Sequence, residues 1–114
     1  MTKAEILSLN DSKIESVDVP EWKTTVHVRT MTGAERDAFE VSCMAGKAGT
    51  NNLANVRARL CAVCLCDENG VRLFSDGDAD ALGKKNGAAL ERIREAAQKL
   101  NRIGAADVDE LVKN

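Results

Sequence analysis

Apolar and polar positions alternate one for one in the early part of the chain and then change to helical spacing. Trp22, Thr24, Val26 and Val28 alternate with Lys23, Thr25, His27 and Arg29, a period of two that predicts a strand with one apolar and one wet face. Residues 13–19 predict an earlier strand with Val17 and Val19 on one face. Between them stands the chain's one proline, Pro20, which fixes its backbone angle and offers no N–H to a ladder, so it belongs at a strand end or turn. The two runs therefore predict an antiparallel pair. Thr32 and Glu35 then form a T-x-x-E capping box, which starts a helix running from Gly33 to about Ala45. Its expected core face is Ala34, Ala38, Val41 and Ala45, with Phe39 and Met44 beside it.

Leu53, Val56, Leu60, Val63 and Cys64 recur at steps of three and four and predict a second helix with an apolar stripe, Arg57 and Arg59 pointing outward. Gly46 to Asn52 separates the two as the longest expected loop. Asp67-Glu68-Asn69-Gly70 predicts a turn needing positive backbone angles, followed by a short extended piece at Val71 to Phe74. Ser75 or Asp76 starts a brief helix containing Leu82, and Asn86-Gly87 interrupts it. Leu90, Ile93, Ala97 and Leu100 mark the last long helix, with a Glu95–Lys99 pair and Gly104 as its C-terminal cap. Thr2 and Glu5 predict a short helix over Ala4 to Leu9, and Val108, Leu111 and Val112 a final one. The expected fold is α+β, a small N-terminal antiparallel strand pair followed by a mainly α-helical bundle, in one domain spanning residues 1–114.

Composition narrows the function. The 114 residues are 44% hydrophobic and only 3% aromatic, which suits an Ala-, Leu- and Val-based core. A net charge of −2 lacks the cationic excess that phosphate neutralisation demands, so nucleic acid is not an expected partner. No apolar run approaches the ~20 residues that span a bilayer, and no secretory leader is recognisable, so neither a membrane nor an oxidising compartment is expected. The four cysteines, Cys43, Cys61, Cys64 and Cys66, are then expected to be reduced. Cys61-x-x-Cys64 has zinc spacing but lacks a second pair, and His27 is the only histidine, so buried structural thiols are the expected state, with no metal and no cofactor.

Other chemical patterns fail on a required residue. Near Gly46-Lys47, Val41 stands where a phosphate loop needs its first glycine and Ala48 where it needs Ser or Thr. Asp76, Asp78 and Asp80 resemble half a calcium loop, but Ala81 replaces its glycine and Gly87 its bidentate glutamate. His27 has no acid or nucleophile tied to it by sequence. The expected protein is not an enzyme. Trp22, the lone indole, is either a core plug or an interface anchor.

The string Val19-Pro20-Glu21-Trp22, the strand Val26-His27-Val28-Arg29, the helix start Thr32-Gly33-Ala34-Glu35-Arg36-Asp37, the turn Asp67-Glu68-Asn69-Gly70 with Leu73-Phe74, and the final Leu111-Val112-Lys113-Asn114 together resemble the tail assembly chaperones of phages with long, non-contractile tails. The resemblance covers essentially the whole chain. It implies a protein that binds and solubilises the tape measure protein during tail morphogenesis, in the host cell cytoplasm, and is absent from the mature virion. It further implies a longer form of the protein made by ribosomal frameshifting, self-association into a homo-oligomer, and the tail tube protein as a further partner. The chain's end matches the short, non-frameshifted product. Expected partner-binding positions are the strand face Trp22, Val26 and Val28 and the helix stripe Leu53, Val56 and Leu60, since apolar stripes cover a partner's amphipathic helices. The competing reading is a small structural or connector component that stays in the particle.

Overall fold

The computed structural model describes residues 1–44 and 52–102. The fold is α+β, with an antiparallel sheet near the N-terminus followed by helices. Helix α1 (Lys3–Ser8) is capped as its sequence predicts, Thr2 accepting a hydrogen bond from the Glu5 amide at 3.2 Å. It buries no residue.

Strands β1 (Ile14–Val19) and β2 (Thr24–Arg29) pair antiparallel, Val17 facing Val26 and Val19 facing Thr24. Pro20 opens a 3-10 turn over Pro20–Trp22, and Lys23, at φ 55°, reverses the chain. The pair is extended by a third strand that the sequence reading did not expect. Strand β3 (Leu65–Cys66) runs antiparallel to β2, giving the order β1-β2-β3. Two residues are too few to display a period, and their apolar character merges with the helix before them. The expected turn follows, with Gly70 at φ 87°. Backbone bonds from Asp67 to Val71 (2.9 Å) and from Leu73 to Leu65 (3.1 Å) then fold the extended piece against β3.

Helix α2 (Gly33–Met44) begins with a complete capping box: Thr32 Oγ1 accepts from the Glu35 amide at 3.1 Å, and Glu35 Oε1 from the Thr32 amide at 2.9 Å. Its buried side is Phe39 and Cys43, whereas the expected core stripe of Ala34, Ala38 and Val41 faces outward. Helical spacing identified the stripe, but the packing of α2 against α3 selects the other face.

Helix α3 (Val56–Cys64) starts three residues after Leu53 and is enclosed, with Ala58 and every residue from Leu60 to Cys64 buried. It lies against α2, α4 (Ala79–Leu82) and α5 (Gly87–Leu100), so it has no single core stripe. Asn86 caps α5 by accepting from the Ala88 and Ala89 amides. Leu90, Ile93 and Ala97 are buried as expected, with Val19, Val28 and Leu60 in the same cluster. The ion pairs of α5 join Arg92 to Glu21, and Glu91 to both Arg94 and Arg57, instead of Glu95 to Lys99. The expected features at Ala45 to Asn51 and beyond Arg102, including the Gly104 cap and the Val108, Leu111, Val112 helix, lie outside the described residues.

Candidate functional site: the groove between α2 and α3

The last carbonyls of a helix have no partner in their own helix. At the end of α3, two arginines supply one. Arg29 donates to the Val63 carbonyl at 2.9 Å, and Arg72 donates to the Ala62 carbonyl at 3.0 Å through Nη2 and 3.3 Å through Nε. Cations also suit the negative end of the helix dipole.

Arg29 was expected on the wet face of β2, yet it is buried, 9% exposed. Its charge is met by Glu35, with bonds of 2.9 Å to Oε1 and 2.6 Å to Oε2. The Arg29 guanidinium and the Thr32 amide hold the Glu35 carboxyl down at about 2, and Glu35 in turn raises the Arg29 pKa. Arg29 Nε is buried without a hydrogen-bond partner, so the ion pair is not fully solvated by protein.

These contacts fix one end of a groove between the start of α2 and the end of α3. The cavity has a volume of about 280 Å³. Ala34, Ala38, Phe39 and Val63 give it an apolar lining, and Glu35, Arg72 and Asp76 stand at the fixed end, with Arg72 bonded to Asp76 at 2.9 Å. At the other end Arg59 donates to Ser42 Oγ at 2.8 Å and to the Asn52 carbonyl at 2.6 Å. Val41 and Met44 are 59% and 50% exposed, and Val41 continues the Ala34–Ala38 stripe along α2. Apolar walls with charge at both ends suit the apolar side of an amphipathic helix, whose polar flanks meet the rim.

The expected partner-binding residues do not fall on one surface. Val28 and Leu60 are in the core, 0% and 2% exposed, and present nothing to a partner in this fold. Both occupy the very stripes that periodicity singled out, and those stripes build the core here. Trp22, Val26 and Val56 are half-buried against the same core, and Leu53 is exposed beside the Arg59 end of the groove. Sequence reasoning missed Arg72 as a groove residue and sent Arg59 to solvent. The one local signal for Arg72 was its i,i+4 spacing to Asp76.

The cysteines are all buried and unbridged. Burial pushes the Cys61 and Cys64 thiols up to about 12 and raises those of Cys43 and Cys66, the reverse of a reactive thiol. Cys61 points its sulfur at the Leu90 carbonyl, 3.6 Å away. Among the described residues no three His, Cys, Asp or Glu side chains are placed to hold a metal ion. The three aspartates of the half calcium loop diverge: Asp76 to Arg72, Asp78 to the Ser75 cap, and Asp80 to Asn55 at 3.0 Å. No helix among the described residues is long and apolar enough to cross a membrane.

The sequence model of a family described as phage tail assembly chaperone matches residues 3–114. The structure is similar to that of the bacteriophage HK97 tail assembly chaperone, at a TM-score of 0.61 and 18% identity, over 88% of this chain and 98% of that one. No curated protein sequence matches.

Proposed function

Because the chain belongs to the phage tail assembly chaperone family, we propose that it binds the tape measure protein and keeps it soluble while a tail is built. The observation that carries this reading is the open groove of about 280 Å³ beside an exposed apolar stripe on α2. A long helical protein awaiting its tube exposes apolar stripes, and a groove of small apolar side chains covers such a stripe without sequence-specific contacts. The work is binding, with no chemical step. In this reading the chain acts as one domain in the host cytoplasm, associates with copies of itself and with a longer frameshifted form, hands its client on to the tail tube protein, and leaves before the particle is complete.

The groove replaces the Leu53, Val56 and Leu60 stripe as the proposed contact surface. Leu53 and the accessible part of Val56 extend it past Arg59, whereas Leu60 supports it from inside. Co-expression with the tape measure protein from the same phage is expected to keep that protein soluble. An Ala38→Arg variant fills the groove with a charged side chain and is expected to cut co-purification by at least about ten-fold while leaving the fold intact. Wild-type complex should survive raised salt, since apolar burial is not screened. A tape measure protein equally soluble without this chain, or tails assembled normally by a deletion mutant, would reject the assignment. Recovery of the chain in purified mature particles would favour the connector reading.

A further inference from the structure

Among the described residues, no strand pairs with the outer ladder edge of β1. On the opposite side β3 pairs with His27 and Val28 of β2, and the segment from Val71 to Leu73 covers β3 in turn. The β1 edge is six residues long, and no proline interrupts it before Pro20. Such an edge is a template for another strand.

The atoms facing outward can be assigned. The Thr30 amide bonds to the Lys13 carbonyl at 2.9 Å, and the Lys13 amide bonds to Thr30 Oγ1 at 3.0 Å, so positions 13 and 30 form a hydrogen-bonded pair. Antiparallel ladders alternate. In the observed register, Glu15, Val17 and Val19 therefore bond to β2, and the amides and carbonyls of Ile14, Ser16 and Asp18 point away from it.

We propose that β1 is a self-association surface, pairing antiparallel with β1 of a second copy about a two-fold axis at Ser16. This rests on the self-association part of the preceding reading and names its surface. Only registers that join outward positions to outward positions can bond. One of these sets Ile14 against Ser16 of the second copy, which brings Glu15 face to face with Glu15, a repulsive pair. Another sets Ser16 against Asp18, which wastes Ile14 on Pro20, a residue with no amide to give. The register between them sets Ile14 against Asp18 and Ser16 against Ser16, so that all three outward residues exchange bonds. There Glu15 faces Val17 and no like charges stand opposite. The strand is complementary to itself, which is why a second copy is the occupant. One cost remains: Glu15 lies diagonally across from its own copy.

Three variants test this in the full chain. Ser16→Pro removes an outward amide and none that bonds β2, so it should leave the circular dichroism unchanged and weaken association by at least about ten-fold in sedimentation velocity. Glu15→Gln should tighten association by about three-fold. Ser16→Cys places a thiol at a hydrogen-bonded pair whose Cα atoms stand about 5.5 Å apart, within disulfide reach. The native thiols are buried, so this is the accessible one. Mild oxidation should cross-link it at least about ten-fold faster than Ser12→Cys, which lies outside the register. A wild-type chain that stays monomeric at high concentration overturns both the interface and the self-association it rests on. A wild type that associates while Ser16→Cys cross-links no faster than Ser12→Cys overturns the interface alone, and that result decides even if Ser16→Pro fails to fold.

Discussion

Replacing Glu35 by glutamine removes the charge that holds Arg29 in place. Glutamine keeps one acceptor oxygen for the Thr32 amide, so the capping box survives, while the negative charge and the Arg29 bond to Oε2 are lost together. Lowering the carboxyl from 4.5 to about 2 corresponds to roughly 3 kcal/mol at about 1.4 kcal/mol per pKa unit. The Glu35 side chain is 24% exposed, so solvent screening trims this to about 2 to 3 kcal/mol. Because the folded value lies below the unfolded one, this stability is fully present above about pH 4.5 and is lost as the pH falls toward 2. Urea unfolding at pH 7 should therefore show Glu35→Gln less stable by about 2 to 3 kcal/mol, with the deficit closing as both proteins are taken to pH 2. Pairing it with Arg29→Met should recover part of the loss, since the uncompensated buried cation is then gone. A loss below about 1 kcal/mol at pH 7, or a deficit that does not shrink in acid, would refute the claim that this ion pair joins β2, α2 and α3.

Gly70→Ala should cost about 1 to 2 kcal/mol in thermal unfolding, because φ is 87° there and the new Cβ would stand 3.1 Å from Ile14 Cδ1. The native protein should react slowly with a thiol reagent at neutral pH and release all four thiols only on unfolding, since Cys61 and Cys64 titrate near 12; a fast stoichiometric reaction in the folded state would contradict the burial.

The helix starts were legible because capping is local chemistry: Thr2 with Glu5, Thr32 with Glu35 and Ser75 with Asp78 all form hydrogen bonds at the predicted ends. Periodicity found the faces of β2 and α5 for the same reason. It could not say which side of α2 would be covered, because that depends on where α3 lies, and a pattern within one helix contains no information about its neighbour. The groove was invisible on the same ground, being a property of two helices and the segment after the Asn-Gly turn. Arg29 was misplaced because alternation assigns it a side of the sheet, and Glu35 and the end of α3 then cover that side.

The Arg29 contacts make the groove mechanically asymmetric. At the Glu35 end, a bidentate ion pair and two arginine-capped carbonyls clamp the first turn of α2 to the last turn of α3. At the Ser42 end, the side-chain link from α3 to α2 is the bond from Arg59 to a neutral hydroxyl. Bonds to a full carboxylate are stronger than bonds to a neutral hydroxyl, so the Glu35 end of the groove is the more firmly tied of the two. The two walls of the groove are thus held to each other by charge at the Arg29 end and by a single neutral acceptor at the Arg59 end.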